Sequence, residues 1–315
     1  MVAPACSEET FIGLFESLGA TETARRLNIS VRNVFARRIT IENRTGRKLI
    51  PPGAQDSQNY RDPLYPSRLP LTIDSGLILI GSDAHYWTDE VTTAHKAFVK
   101  LIGDLKPKIV VLNGDVVDGA RISRHAPLGW ERRPTLVGEL KACEERLVEI
   151  EETAPNAERI WTIGNHDQRF ENRLASQAPE FEGVPGFTLK EHFPYWKHAL
   201  SSWVNDDTVI KHRFKGGIHA THNNTLWSGR SIVTGHLHSL KVTPFDDYDG
   251  TRWGVDTGTL ADTYGPQFGY TEDNPVNWRS GFVVLTYHKG KLLWPEIAYV
   301  IDKEHCSFRG TLFKI

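Results

Sequence analysis

The sequence predicts a layered α/β domain that follows a small all-helical domain. Two observations support the α/β domain: from Gly76 onward apolar strand-like runs alternate with amphipathic helical stretches, and the end of the chain is rich in strands. A third observation concerns the first 48 residues, in which apolar positions recur at helical spacing. We therefore expect two domains of different class in this chain of 315 residues.

Composition limits the kinds of protein that this chain can be. With 39% hydrophobic and 24% charged residues it has the profile of an ordinary globular protein. Its net charge is −2, so any surface for nucleic acid must be local. The sequence lacks a long apolar run and a secretory signal, and its three cysteines form no C-x-x-C pair. We expect a cytoplasmic protein without a membrane partner, a disulfide framework or a thiolate zinc site.

The N-terminal helices are predicted from apolar spacing and from signals at their ends. The first helix carries four apolar residues at positions i, i+3, i+4 and i+7, which are Phe11, Leu14, Phe15 and Leu18. Gly19 supplies its stop, residues 20–28 predict a second short helix, and a third helix follows a tight turn with Ser30 as its N-cap. This pattern resembles the helix-turn-helix of DNA-binding modules, and we assign it to residues 1–48.

The charge of this helical domain favours a nucleic-acid partner, with DNA as the first expectation. Residues 20–48 carry eight basic and two acidic residues, a local net charge of +6. In a helix-turn-helix the helix after Ser30 would enter the major groove, with Arg32, Arg37 and Arg38 as the expected contacts. The alternative is a solvated basic face on a helical cap that serves dimerisation or shielding.

A proline-rich segment separates the two predicted domains. Residues 49–75 contain five prolines, which cannot occupy helix interiors. We therefore predict an extended, semi-stiff linker over 49–75 and a second domain over 76–315.

The second domain is predicted element by element. GLILIGS is an apolar strand, a helix follows over 89–105, and KIVVLNGD contains the second strand. An amphipathic helix over 135–152 leads to the third strand, RIWTIG. The fourth strand lies in DTVIKHRF, a helix lies in HATHNNTLWSG, and the fifth strand is SIVTG. The remaining chain predicts strands and a hairpin that turns at HKGK.

Polar side chains that bind metals recur where these strands end. They are Asp83 and His85, Asp115 and Asp118, Asn165, His166 and Asp167, His212, and His236 and His238. Loops at strand ends are where α/β folds build their sites. A supply of oxygen and imidazole ligands without thiolate suits Mn, Fe, Zn or Ni better than Mg or Ca.

These residues form motifs that resemble the calcineurin-like metallophosphoesterase family. D-x-H, G-D-x-x-D, G-N-H-D, an isolated His and G-H-x-H follow one another in that order between residues 77 and 260. The resemblance implies a four-layer αββα sandwich, in which two mixed β-sheets are flanked by helices. Together with the helix-turn-helix pattern, it also resembles a phage or prophage gene product.

The resemblance implies a site for two divalent metal ions, with Mn as the first expectation. One ion would be held by Asp83, His85 and His238, and the other by Asn165, His212 and His236. Asp115 would bridge both, as two closely spaced dications need an anion between them. The family chemistry is in-line attack on phosphorus by a hydroxide that bridges the two ions.

Three further residues receive roles from the same resemblance. His166 would protonate the leaving oxygen or stabilise charge, and Asp167 would orient and charge the His166 imidazole. Asp118 would orient a loop or a ligand. For the isolated histidine we prefer His212 to His222, because a strand precedes His212 whereas His222 lies in a predicted helix.

Basic residues after the motif loops are candidates for contacts to a substrate phosphate. These are Arg121, Arg124, His125 and Arg169, with Arg173 further along. For each of these arginines an equally good interpretation is a surface ion pair with a nearby glutamate such as Glu131 or Glu171.

We therefore expect a metal-dependent phosphoric ester hydrolase, with a phosphodiesterase or nuclease acting on DNA as the first hypothesis. The second hypothesis is a phosphatase for small phosphomonoesters or phosphoproteins with a helical cap. A third, a non-enzymatic binding protein on an inactive scaffold, conflicts with the intact set of ligand residues. The sequence does not distinguish monoesterase from diesterase, because both share the metal core.

Overall fold

The computed structural model describes residues 6–52 and 64–315. The chain divides into two compact units, Met1–Leu64 and Tyr65–Ile315. Within the described residues, no helix is long and apolar enough to cross a membrane.

The first unit contains two helices, α1 (Glu8–Leu27) and α2 (Val31–Thr45). The backbone of α1 breaks at Gly19, where φ is +76°, so the predicted stop divides it into two helical segments. The Ser30 side chain accepts a hydrogen bond from Asn33 N and caps α2, as predicted. Both helices pack around a small apolar core that includes Phe11, Phe15 and Val34. The predicted helical character of this region is thus confirmed.

The second unit contains five α-helices in its described residues. They are α3 (Thr93–Leu105), α4 (Leu136–Thr153), α5 (Arg169–Gln177), α6 (Leu189–His192) and α7 (Ala220–Ser228). Its first eight strands are β1 (Leu69–Leu71), β2 (Gly76–Gly81), β3 (Ile109–Leu112), β4 (Glu158–Thr162), β5 (Lys197–Ala199), β6 (Ser202–Val204), β7 (Thr208–Ile210) and β8 (Ser231–Thr234). The later strands are β9 (Lys241–Asp247), β10 (Gly250–Asp256), β11 (Gly281–His288), β12 (Lys291–Leu292), β13 (Glu296–Val300), β14 (His305–Phe308) and β15 (Thr311–Lys314).

The strands form two mixed sheets. The larger has the order β15-β14-β13-β11-β2-β3-β4-β5, with β12 paired to β11, and the smaller has the order β1-β6-β7-β8-β10-β9. Strands β2 to β5 run parallel, whereas β11 pairs antiparallel with β2. The C-terminal ends of β2, β3 and β4 therefore meet at one edge of the larger sheet.

Side-chain alternation along β2 shows how the layers are packed. Ile78 and Ile80 join the core between the two sheets, where they meet residues such as Val233 of the smaller sheet. Leu79 faces the opposite way, into a core that contains Phe98 of α3 and the apolar side of α4. On the smaller sheet, α7 approaches so closely that a Cβ on Gly254 would lie 2.0 Å from the Thr221 carbonyl oxygen. The predicted four-layer αββα fold is confirmed.

The segment predicted as a linker contains one strand. β1 (Leu69–Leu71) lies within 49–75 and pairs in parallel with β6 at the edge of the smaller sheet. An edge strand tolerates Pro70, which lacks a backbone donor. Residues 53–63 of the same segment lie outside the described residues, so the linker and the exact domain boundaries stay predictions.

Candidate metal centre

The loops that follow five strands converge to build one site. Asp83 and His85 follow β2, Asp115 follows β3, and Asn165 follows β4 in the larger sheet. His212 follows β7, and the pair His236 and His238 follows β8 in the smaller sheet. Each sheet therefore contributes side chains to the junction between them.

Three clusters in this region place imidazole nitrogens and carboxylate oxygens within 4.8 Å of one another. The first is Asp83, His85 and His238, the second is Asp115, His212 and His236, and the third is His85, Asp118 and His166. The first cluster contains the three residues implied for one ion, and the second contains Asp115 with His212 and His236, two of the three residues implied for the other ion. Imidazole nitrogens and carboxylate oxygens crowded together in this way are the donors that divalent transition metals prefer.

Buried atoms without hydrogen-bond partners support a metal at this place. Asn165 Oδ1 and His85 Nε2 are buried and have no partner in the described part of the chain. His212 Nε2 lies 3.0 Å from Asp115 Oδ2 without hydrogen-bond alignment. A buried polar atom without a partner costs free energy. A ligand that accepts lone pairs, such as a metal ion, would remove this cost. The residues present therefore fit a divalent ion.

The opposite ring nitrogens are fixed by other protein groups. His85 Nδ1 lies 2.9 Å from Asp118 Oδ1, and His212 Nδ1 lies 2.8 Å from the Asn113 carbonyl oxygen. Metal-binding histidines are usually oriented in this way through the nitrogen that does not bind the metal.

The electrostatics of the cluster favour added positive charge. Burial alone would raise the pKa of Asp83, but His238 and His212 hold it at about 2. Burial would likewise lower the pKa of His212, yet Asp115 and Asp83 raise it to about 10. Two buried carboxylates thus keep the neighbouring imidazole protonated. A bound metal ion would replace that proton.

Two motif glycines are required by close packing against the ligands. A Cβ on Gly164 would lie 2.2 Å from Asp115 Oδ1, and one on Gly235 would lie 2.5 Å from Asp83 Oδ2. The glycines of G-N-H-D and G-H-x-H therefore let two backbone turns approach the carboxylates.

Most of the ligand candidates adopt a strained backbone conformation. Positive φ angles between 42° and 72° occur at Asp83, His85, Asp115, His236 and His238. Residues other than glycine rarely occupy this left-handed region, and such strain concentrates at functional sites. No residue pattern in the sequence indicates this feature.

His166 lies at the rim of the site and is oriented by Asp118. Its Nδ1 lies 2.9 Å from Asp118 Oδ1, and its Nε2 lies 3.9 Å from Asp115 Oδ2. Arg169 Nη2 lies 3.0 Å from the same Nε2, and Arg169 Nη1 donates to the Asp118 carbonyl oxygen. Asp118 therefore holds the rings of both His85 and His166.

The predicted role of Asp167 as the partner of His166 is wrong. Its buried carboxylate turns away from that ring and accepts from Trp161 Nε1 and from the backbone N–H groups of Gly164, Asp115, Val116 and Val117. These five bonds are 2.8–3.1 Å long. Burial and the nearby Asp115 carboxylate raise the pKa of Asp167 to about 6. Asp167 thus positions the loops around Asp115, and Asp118 takes the role next to His166.

The choice between the two candidate histidines follows from their placement. His212 is buried beside Asp115, whereas His222 is exposed on α7 and packs against Phe245, with a ring-centroid distance of 5.4 Å. His212 is therefore the histidine at the site.

A cavity of about 420 Å³ adjoins the cluster on the His166 side. Of the residues predicted to contact a substrate phosphate, His125 and Arg169 line this cavity. Arg121 and Arg124 do not line it, and Arg121 donates to the Arg133 carbonyl oxygen. Sequence reasoning missed Trp87 and Tyr270, which also line the cavity and carry no motif that would identify them.

The three arginines predicted to contact DNA differ in their surroundings within the first unit. The Arg37 guanidinium lies 4.7 Å from the Phe11 ring centroid and donates to the Cys6 carbonyl oxygen. Arg38 pairs with Glu42 and lies over Phe15. Only Arg32 is exposed with no ion pair or side-chain hydrogen bond to the described residues. Arg37 and Arg38, two of the three predicted DNA contacts, thus already interact with other residues of this unit.

Removing the Asp167 carboxylate should destabilise the second unit. We expect Asp167→Ala to lower the free energy of unfolding by at least about 3 kcal/mol, because five buried N–H groups lose their acceptor. Urea unfolding of the metal-free protein measures this change. Asp118→Asn is the comparison, because its partners are two histidines and no loop backbone depends on its carboxylate. Equal midpoints for the two variants would contradict the positioning role of Asp167.

The chain is similar to a protein family and to several known proteins. Residues 77–257 match the model of the calcineurin-like phosphoesterase family. The Gene 54 protein of Mycobacterium phage L5 is 25% identical over 229 residues, which cover 65% of this chain and 87% of that protein. Among solved structures, Entamoeba histolytica Vps29 in complex with zinc is 14% identical with a TM-score of 0.38, covering 76% of this chain and 98% of that one. Yfce, a phosphoesterase from E. coli, is 14% identical with a TM-score of 0.37, covering 76% and 99%. The family match spans more than half of the sequence, and the chain belongs to the calcineurin-like phosphoesterase family.

Proposed function

We propose that this protein is a dinuclear-metal phosphodiesterase that cuts nucleic acid, with DNA as the substrate. Family membership and the clustered His and Asp side chains support phosphoester hydrolysis at a site for two divalent ions. The more specific proposal of a nuclease rests on the residues and cavities that surround the cluster.

The chain's own residues divide into those that hold metal and those that act on the substrate. Asp83, His85 and His238 would hold one ion, Asn165, His212 and His236 the other, and Asp115 would bridge them. When bound, two such ions supply Lewis acidity toward the phosphoryl oxygens and lower the pKa of an attacking water. Manganese is our first choice, and iron, zinc or nickel would suit the same ligands.

His166 has the position of a proton donor to the leaving oxygen. Asp118 fixes its Nδ1, so that Nε2 points to the region beside Asp115. The guanidinium of Arg169, 3.0 Å from that nitrogen, adds positive charge where a phosphate would lie. The fixed cation can stabilise a departing alkoxide, and His166 can protonate it when Nε2 carries a proton and the Arg169 guanidinium has turned from Nε2 to the phosphate.

One observation carries the preference for a diester: the cluster borders two separate cavities. Asn165 and His166 line the cavity of about 420 Å³, and His236 lines a second one of about 130 Å³. A phosphodiester has a substituent on each side of phosphorus, whereas a monoester has one. Two separate spaces next to the ligand candidates therefore suit a strand that continues past the scissile phosphate.

The runner-up is a phosphomonoesterase whose helical unit dimerises or shields. A specific observation favours such a role for the first unit. Val31, Phe35 and Ile39 lie at i, i+4 and i+8 on α2 and are 38%, 43% and 54% exposed. An apolar stripe of this kind on the would-be recognition helix is more typical of a protein contact than of a major-groove contact.

A panel of substrates and metals tests the proposed function. We expect chelation to abolish hydrolysis and Mn²⁺ to be among the best restorers, with an aryl phosphodiester and DNA cleaved more efficiently than an aryl monoester. Asp115→Asn should reduce the rate more than any other single-ligand change, because Asp115 serves both ions. Metal analysis of the folded protein should find two sites. A preference for the monoester would favour the runner-up.

The role of His166 is tested separately from metal binding. We expect His166→Ala to keep both metal sites while kcat falls by about 10²–10⁴, the range for general acid–base groups. The loss should be smaller for aryl esters with good leaving groups, because these need less protonation. Metal titration and kcat measured on the same variant decide the matter, since a loss of metal would make His166 a ligand.

The role of the helical unit is tested by a chain truncated to begin at Tyr65, the first residue of the second unit. If the helical unit binds duplex DNA, the truncated protein keeps its rate on an aryl phosphodiester but loses duplex affinity. The salt dependence of DNA binding should weaken as well, by roughly 0.9 in log–log slope for each phosphate that the helical unit had neutralised. If the unit dimerises, the mass in solution changes and DNA affinity does not. Light scattering and a binding titration on one sample separate the two roles.

A further inference from the structure

A short basic segment follows β7 and surrounds one of the metal-ligand candidates. Residues 211–215, with the sequence KHRFK, place His212 in the cluster and three cations around it. Arg213, Phe214 and Lys215 line the cavity of about 130 Å³ that His236 also lines. We propose that this segment, together with Trp227, is a subsite for the nucleotides of a single-stranded nucleic acid next to the scissile phosphate. We call it the strand subsite; it rests on the proposed phosphodiesterase function and names its substrate class.

The first support for the strand subsite is charge that the protein leaves uncompensated. Within residues 6–52 and 64–315, no carboxylate lies within 4.0 Å of the charged groups of Lys211, Arg213 or Lys215. Arg44 and Arg47 of the first unit, by contrast, pair with Glu8 and Glu16. Three adjacent cations without counter-charges attract an anionic chain, and a phosphate backbone is such a chain.

The second support is the exposure of two aromatic rings between these cations. Phe214 and Trp227 are 44% and 67% exposed. The Lys211 ammonium lies 5.0 Å from the Phe214 ring centroid, and the Lys215 ammonium lies 4.1 Å from that of Trp227. Aromatic rings interleaved with cations are how proteins bind single strands, with bases stacked on rings and phosphates near the charges.

The third support is that the backbone holds this segment in place. Lys211 N donates to the Val233 carbonyl oxygen over 3.0 Å, and Gly235 N donates to the His212 carbonyl oxygen over 2.8 Å. Lys215 N donates to Asn224 Oδ1 on α7 over 3.0 Å. Bonds at both ends fix the segment relative to His212, so a strand bound there is also fixed relative to the cluster.

The same features favour a single strand over a duplex. Bases in a duplex are stacked on one another, and their faces are not available to Phe214 and Trp227. A single strand exposes base faces and lets each phosphate approach a cation in turn.

Binding and catalysis by the full-length protein test the strand subsite. Fluorescence anisotropy with a labelled hexathymidylate in chelator measures affinity without metal or turnover. We expect Phe214→Ala, Trp227→Ala and Lys215→Glu each to weaken this binding on the order of tenfold, while Lys215→Arg retains most of it. With Mn²⁺ restored, each of these variants should lose more kcat/KM on hexathymidylate than on an aryl phosphodiester, because the aryl ester has no chain of nucleotides to bind at the strand subsite.

Two matched controls separate a local effect from a general one. Lys141→Glu changes the same charge at an exposed lysine on α4, and Tyr248→Ala removes an exposed ring between β9 and β10. Both should leave hexathymidylate affinity unchanged. Equal affinity in the wild type and in the Phe214→Ala, Trp227→Ala and Lys215→Glu variants would overturn the strand subsite. An equal loss of affinity in the two controls would overturn it as well. If the wild type fails to hydrolyse the aryl diester with any metal, the proposed function fails instead, and the anisotropy still decides the subsite.

Discussion

The buried carboxylate of Asp167 is the interaction on which the candidate metal centre depends. Its two oxygens accept five N–H groups, from the β4 side chain Trp161, from the turn at Gly164 and from the loop after β3. A charged acceptor for several backbone donors is worth more than neutral hydrogen bonds, and its loss leaves all of them unpaired. Asp115 keeps its place in the cluster with His212 and His236 only if this loop holds its position. The third residue after Gly164 in G-N-H-D is therefore structural, whereas Asn165 and His166 before it line the cavity beside the cluster.

The ligand loops bear backbone strain that their neighbours offset. Asp83 and His85 have positive φ angles, yet Asp83 N donates to the Gly114 carbonyl oxygen and His85 N to the Asp115 carbonyl oxygen. The loop after β2 is thus bonded to the loop after β3. Each strained conformation costs on the order of 1–3 kcal/mol and persists only where the surroundings fix it. Bonds between ligand loops therefore make the site rigid before any ion binds, which favours precise coordination.

The sequence predicted the fold and the place of the site because both follow from backbone patterns. Apolar runs predict the strands, and the motif residues that follow them therefore lie at strand ends. This placement does not depend on the direction in which their side chains point. Side-chain direction decides the rest, and a one-dimensional pattern does not contain it. Asp167 follows His166 directly but points to the amides behind it, whereas Asp118, 48 residues earlier, reaches the ring. Strand β1 was missed because Pro70 disfavours most strand positions and is tolerated at a sheet edge.

Charge counts along the sequence likewise omit which charged side chains the fold brings together. The +6 charge of residues 20–48 leaves out Glu8 and Glu16, which the fold brings to Arg44 and Arg47, and six of the eight basic residues in that window have a glutamate partner. The net charge of −2 for the whole chain does not reveal the three cations around His212. No carboxylate of the described residues neutralises these cations. Electrostatic attraction for nucleic acid depends on the charge that remains after internal pairing. By that measure the three adjacent cations beside the metal-ligand candidates remain available to a phosphate backbone, against Arg32 and Arg37 in residues 20–48.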